Sequence, residues 1–355
     1  MMRYTWLCLV LILSIESFAQ EDSTKSIKVS TYVDMYYSYD FSNPMNFEKP
    51  DYNYNYKKHN QLNVNMAFVK LGYQSSRMRS NLALMTGNYA MYNLSPEPNW
   101  AKPLLEANIG YKIAKQQNIW VDAGVMPSHI GFESAIGADC WNLSRSLLAE
   151  NSPYYETGIK LSYTNKKEDL YFAFHVLNGW QKIAVPSQGA TPSAGIQLTY
   201  KPSNYLTLNY SNFIGRIHLD SLNALRVFHN LYAIYEASPK TSLIFGFDIG
   251  TQKNTQSKVT VWYTPVLIAK LNLNSKSKIA GRIEYYMDKN QVIIPTATPN
   301  GFQTFGVSVN YDRQILPYLL MRTELKQYNS KDRIYRYEQT TATQTTATMA
   351  FILKF

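Results

Sequence analysis

The chain has 355 residues, a formal net charge of +10 and 29 Tyr against 15 Phe and 6 Trp. Its Lys and Arg are scattered and form no block that would grip a phosphate backbone, which argues against nucleic acid as a partner. No stretch beyond residue 20 approaches 18 consecutive apolar residues, so helical membrane spans are excluded.

Residues 1–20 read as a cleavable export signal: Arg3, an apolar run from Trp6 to Leu13, then the small-residue ending Ser17-Phe18-Ala19-Gln20. The run is too short for a spanning anchor, which needs about 20 apolar residues. Cys8 lies inside it rather than after a cleavage site, so a lipoprotein is not expected. Removing the signal takes one base, Arg3, and one acid, Glu16, and leaves the net charge of +10 unchanged. Cys140 is then the one cysteine of residues 21–355; no internal disulfide is possible, and a lone thiol reads as a small buried residue.

From there the pattern is alternation with a period of two. It predicts sixteen strands, near 26–40, 62–74, 78–90, 103–115, 117–126, 155–164, 169–178, 193–201, 204–214, 223–236, 240–250, 257–272, 276–288, 301–312, 315–327 and 344–355. In the first, Ile27, Val29, Val33, Met35, Tyr37 and Tyr39 oppose Lys28, Ser30, Asp34, Ser38 and Asp40. The fourth sets Leu105, Ala107, Ile109 and Tyr111 against Glu106, Asn108, Gly110 and Lys112. The alternation from Lys278 to Asp288 is the clearest, and the last strand turns Met349, Phe351, Leu353 and Phe355 to one side. Two strands are irregular. Leu62 to Tyr73 changes parity near Ala67, and Asn223 to Tyr235 fits either face; both suggest a bulge or an external extension.

Connections after even strands are brief, as at Gln74–Met78, Gln116 and Lys201–Ser203. Those after odd strands are longer, notably 41–61, 91–102, 127–154, 289–300 and 328–343. Short turns at one end and long loops at the other are what an up-and-down barrel of the outer membrane of a Gram-negative bacterium produces. In hydrocarbon each unpaired backbone group costs several kcal/mol, so the sheet must close, with greasy residues outward and polar ones inward. Tyrosine suits strands that run from hydrocarbon to head-groups, because its ring is buried while its hydroxyl stays wet. Sixteen strands leave a lumen wider than side chains fill, so an aqueous channel is the expected content. The expected fold is thus an all-β transmembrane antiparallel barrel over residues 21–355.

Charged residues that would be costly in lipid belong in the lumen. Arg282 with Glu284, and Arg322 with Glu324 and Lys326, place opposite charges two residues apart on one face; bracing ion pairs are the first reading and solute contact the second. Asp122, Glu156, Lys160, Asp248, Lys258 and Lys270 are further lumen candidates. The connection 127–154 is the longest. Folded inward it would narrow the pore and present His129, Glu133, Asp139, Arg145 and Glu150 to a passing solute. The alternative is an external lid.

Enzymatic chemistry finds no constellation: His175 and His229 lie on strands seven and ten, with no neighbouring serine arrangement. A metal site is weakly signalled, since His129 with Glu133, or Asp139 with Cys140, supplies two ligands at most. No cofactor is expected. Expected partners are the lipid bilayer and small hydrophilic solutes, with a homo-oligomer open.

Several segments together resemble a known family. Gly131-Phe132-Glu133-Ser134-Ala135-Ile136-Gly137, Ser144-Arg145-Ser146, Pro153-Tyr154-Tyr155-Glu156-Thr157-Gly158, Asn178-Gly179-Trp180-Gln181, Arg282 to Asp288 and Arg322-Thr323-Glu324 resemble the putative beta-barrel porin-2 (OmpL-like) family of Bacteroidota outer membranes. The resemblance covers nearly all of the chain after the signal and implies a porin-like barrel without naming a solute. The sequence therefore predicts a passive diffusion channel, with the positive balance hinting at a mild preference for anions. The alternative is a structural or adhesive surface protein that binds a partner through its external loops, above all Asp51-Tyr52-Asn53-Tyr54-Asn55-Tyr56.

Overall fold

The computed structural model describes residues 25–185, 191–219, 222–253, 258–335 and 340–355. The expected export signal, residues 1–20, lies outside the described residues. Sixteen antiparallel strands form one closed barrel. In chain order they are β1 (Ser26–Asp40), β2 (Leu62–Gln74), β3 (Met78–Thr86), β4 (Leu104–Lys112), β5 (Asn118–Pro127), β6 (Tyr155–Thr164), β7 (Leu170–Leu177) and β8 (Ser193–Ser203). Then follow β9 (Leu206–Leu219), β10 (Leu222–Glu236), β11 (Thr241–Lys253), β12 (Val259–Asn272), β13 (Ser277–Asp288), β14 (Phe302–Leu316), β15 (Leu319–Ser330) and β16 (Thr343–Lys354). Each strand pairs with its chain neighbours, and the ring closes where β1 meets β16, with Tyr32 opposite Lys354 and Asp40 opposite Thr346. Closure leaves no sheet edge to be satisfied by solvent.

The alternation read from sequence is the inside–outside alternation of the wall. On β13, Ile283 is 52% exposed while Arg282 is 1% and Glu284 2%. Ile27, Val69, Leu84, Ile109, Ile159, Phe245, Val309 and Phe351 are likewise exposed on the outer surface. Turns after even strands are tight: the Ser75 hydroxyl accepts from the Met78 amide at 3.0 Å, and the Ser238 hydroxyl from the Thr241 amide at 3.0 Å. The packed core lies within the cylinder. Connection residues Tyr89, Leu94, Leu148 and Tyr154 meet the inward Met66, Met85 and Ile268 there.

Two departures from the sequence expectation, in β3 and β10, have physical causes, and the expected irregularity of β2 has one as well. β3 stops at Thr86 instead of running to 90, because Gly87 adopts φ 115° against the Asn65 carbonyl and a short helix, Asn88–Asn93, follows. The parity change in β2 is a one-residue bulge: Asp34 faces Met66, Met35 faces Val64, and Asn65 between them turns inward. β10 carries no bulge; it pairs in continuous register with β9 and β11. Its ambiguity arises because its inward face also carries rings, with Phe228 at 4.9 Å from Trp180 and 6.2 Å from Trp262.

Candidate functional site

Residues 128–154 reach inward side chains on most of the wall. The chain leaves β5 with the Ser128 amide on the Tyr154 carbonyl and the His129 amide on Glu156 of β6. The Ser211 hydroxyl of β9 donates to the His129 carbonyl at 2.8 Å, and the Gly131 amide donates to Asn230 of β10 at 3.2 Å. Farther along, the Leu143 amide donates to Asn310 of β14, the Ser144 amide to Glu324 of β15 at 2.7 Å, and the Leu147 amide to Glu284 of β13 at 2.5 Å. On the adjoining strands the Ala138 amide donates to the Tyr32 hydroxyl of β1, and Lys354 of β16 pairs with Asp139 at 2.7 Å. Apart from the short helical turns Gly137–Asp139 and Leu147–Glu150, the segment has no regular structure to pair its buried backbone groups, and these wall side chains pair several of them.

Two arginines fix its conformation. Arg322 of β15 donates to three carbonyls of the segment, those of Gly137 (2.5 Å), Cys140 (3.0 Å) and Trp141 (3.0 Å), and pairs with Asp312 at 2.7 Å. Arg145, fully buried, donates to the carbonyls of Ser134 (2.6 Å), Ala135 (2.7 Å) and Leu143 (2.8 Å). The planar guanidinium suits this task because its five N–H groups fan out to several acceptors at once. Glu133 is bound by the Ser146 amide and hydroxyl and lies 3.9 Å from Arg282. Burial pushes its carboxyl up and the Arg282 charge opposes the rise. Glu150 accepts from the Tyr54 amide at 2.8 Å and from Asn55 at 3.1 Å, joining this segment to connection 41–61; burial raises its carboxyl too.

Other sequence candidates lie as follows. Arg282 pairs with Glu284 at 3.0 Å as the spacing suggested, and reaches Glu324 at 3.5 Å. Arg322 does not pair with Glu324; its partner Asp312 stands directly opposite on β14, whereas Glu324 serves the Ser144 amide. Lys326 is buried and sits 4.8 Å over the Tyr328 ring. Lys270 lies 4.2 Å over the Trp141 ring. Asp248 accepts from Asn230 at 2.5 Å. Lys258 precedes β12 and is exposed. Asp139 is 42% exposed in its pair with Lys354, at the end of the barrel opposite the long connections.

Asp122 gathers two cations, Arg79 of β3 at 2.5 Å and Lys160 of β6 at 3.6 Å. Lys70 pairs with Glu106 at 2.7 Å and Lys278 with Asp312 at 3.3 Å. In each of these pairs the carboxylate is buried and the cation is the more exposed partner: Arg79 is 30% exposed against 5% for Asp122, Lys278 31% against 1% for Asp312. Arg79, Lys70 and Asp312 were not singled out in the sequence, and Glu106 and Lys278 were placed only within alternating strands; register brings the pairs together.

The Tyr-rich stretch 51–56 is not displayed for a partner. Tyr52 and Tyr56 are buried, Tyr56 donating to Asp34 at 2.8 Å and Tyr52 lying 4.8 Å from the Phe302 ring. Nearby, Lys49 lines a cavity of about 490 Å³ with Asp40, Glu48, Tyr52 and Asn151. Burial, seconded by the Lys326 charge, pushes the Lys49 ammonium down to about 7.

Neither metal pairing drawn from sequence forms. Glu133 is engaged by Ser146, and Cys140 is buried with its thiol toward the Ser134 carbonyl at 3.4 Å. His129 instead meets Glu156 and His175. His229 faces outward and bonds Tyr210 at 2.8 Å.

A family profile described as "Putative beta-barrel porin-2, OmpL-like" matches residues 26–355. No curated protein sequence matches. Among solved structures, the anion-selective porin from Comamonas acidovorans superposes with a TM-score of 0.64 at 11% identity, covering 93% of this chain and 100% of that one. The outer-membrane channel DcaP of Acinetobacter baumannii gives 0.61 at 7% identity, over 94% and 99% of the two chains. OmpT, an outer membrane protein of Vibrio cholerae, gives 0.60 at 8%, over 95% and 99%. Identities this low speak for the shared fold.

Proposed function

The chain belongs to the OmpL-like beta-barrel porin-2 family, and from that premise we propose that residues 127–154 form the constriction of its channel and that the channel weakly prefers anions. The protein is a porin of the Gram-negative outer membrane, through which small hydrophilic solutes diffuse passively. Family and fold support a channel rather than an enzyme in this reading. Residues 1–20 serve, in this reading, as the export signal.

The observation that carries the anion preference is the polarity of the wall pairs. Lys70, Arg79, Lys160 and Lys278 are each more exposed than the buried carboxylates they pair with, which supports a path whose accessible charge is positive. Buried carboxylates outnumber buried Lys and Arg among the described residues, yet most are spent on hydrogen bonds to backbone amides or on arginines. Planar-bilayer reversal potentials in a KCl gradient test the reading. Chloride should permeate roughly two- to fivefold better than potassium, and replacing Arg79 and Lys160 together by Gln should move the ratio toward unity. Cation preference in the unaltered protein would overturn it.

A further inference from the structure

His129, Glu156 and His175 come from three elements: the start of connection 128–154, β6 and β7. All are buried, and their ligating atoms lie within 4.8 Å of one another. Glu156 Oε2 is 2.6 Å from His129 Nδ1, and its Oε1 is 2.7 Å from His175 Nδ1. The two imidazoles stack at 4.1 Å with 21° between planes, so both present the same edge to the carboxylate.

Two features distinguish this cluster from an ordinary buried hydrogen-bond network. First, His129 Nε2 is 2.8 Å from the Asn212 carbonyl, an acceptor, which places a proton on Nε2 and aims Nδ1 at Glu156 Oε2 as the nitrogen that would bind an ion once its own proton is displaced. A backbone carbonyl holding the far ring nitrogen is the arrangement that orients metal-binding histidines. Second, both ring nitrogens of His175 and Oε1 of Glu156 are buried without a hydrogen-bond partner, despite the 2.7 Å approach of Nδ1 to Oε1. Two such atoms in close, misaligned contact are satisfied by a cation between them. The space is built: a Cβ on Gly195 would fall 2.6 Å from His129 Nε2, so glycine there admits the ring. The neighbouring cation Lys160 is turned to Asp122, 3.6 Å away.

We propose that these three side chains bind one divalent transition-metal ion of the zinc class, fastening the beginning of connection 128–154 to the barrel wall. Two imidazoles and a carboxylate are a donor set that zinc and its neighbours accept, with a fourth position left for water. Bonds of about 2.0–2.2 Å put tetrahedral ligand atoms about 3.3 Å apart, so each side chain has to retreat by less than about 1 Å to admit the ion.

The full barrel, folded in detergent and stripped with EDTA, is titrated calorimetrically with ZnCl2 and separately loaded with CoCl2. One Zn2+ per chain, the visible d–d absorption of a low-coordinate Co2+ site and a raised melting temperature are expected. His175→Gln and Glu156→Gln should each weaken zinc binding at least tenfold, while His229→Gln, on the outer face, should leave it unchanged. Absence of stoichiometric binding, or equal affinity in all variants, overturns the proposal. If the wall variants do not fold, X-ray absorption on the zinc-loaded native barrel decides: imidazole scattering supports the site, and a shell without it refutes it. These readouts do not depend on conductance, so this site and the channel reading stand or fall separately.

Discussion

Arg322 holds the backbone of the long connection at three carbonyls while balancing Asp312. Arg322→Ala should therefore cost roughly 3–5 kcal/mol, because it strands a buried carboxylate as well as three acceptors. The measurement is urea unfolding in detergent, and Arg322→Lys should recover only part, since an ammonium cannot reach all four partners. Lys49 supplies a pH dependence. Its ammonium is pushed down to about 7, from 10.5 in the unfolded chain, so the folded protein carries its charge below pH 7 and loses it above. The associated stability penalty is fully present below pH 7 and is relieved as pH climbs from about 7 to about 10.5, where the unfolded chain binds the extra proton. Anion preference should accordingly strengthen between pH 8 and pH 6, and Lys49→Gln should flatten that change in reversal potential. Sequence reasoning at this scale recovered which charges face inward, as with Arg282 and Glu284, because lipid forbids the other side. It missed partners such as Arg322 with Asp312 and His175 with Glu156, because those depend on the register between strands.

The elements were legible in proportion to their alternation. β1, β2 and β6 have the expected bounds to the residue, since an apolar/polar period of two has one reading in a half-wet wall. The boundary of β3 was not legible, because it depends on Gly87 meeting the Asn65 bulge on the adjacent strand. Connection 127–154 was legible in its length and composition, but its anchors were not: they come from β1, β6, β9, β10, β13, β14 and β15, a set fixed by how the cylinder curves. Replacing residues 132–150 by a short Gly/Ser linker should raise single-channel conductance roughly twofold or more, provided this segment is the narrowest part of the path. Unchanged conductance in a properly folded deletion would place the constriction elsewhere, with connection 41–61 next in line.

At the scale of the whole molecule, one rule accounts for both surfaces: apolar side chains point out of a closed wall, and polar ones point in toward connections that fill much of the interior. Closure was derivable from the cost of an unpaired edge, whereas the packed contents were not, since strand number alone predicts a wide, wet lumen. The outward band gives a direct check. Ile283→Arg, mid-strand on the outer face of β13, should lower folding stability in lipid by about 2–4 kcal/mol. The same change at Ile315, near the short-turn end of β14, should cost about 1 kcal/mol or less, and tryptophan fluorescence during refolding into vesicles would register the difference.

The meeting of β1 with β16 joins the beginning of the wall to its end: the Thr31 amide bonds the Phe355 carbonyl, and the Phe355 amide returns to Thr31. No part of that junction can assemble before the final strand has been synthesised and delivered. Until then the first and last strands lack each other as partners, and their amides and carbonyls along this seam are open to other pairings. Pairing partners separated by almost the full chain makes completion entropically slow. Anything that masks those two strands until the bilayer receives them would protect this topology from pairing with the wrong chain.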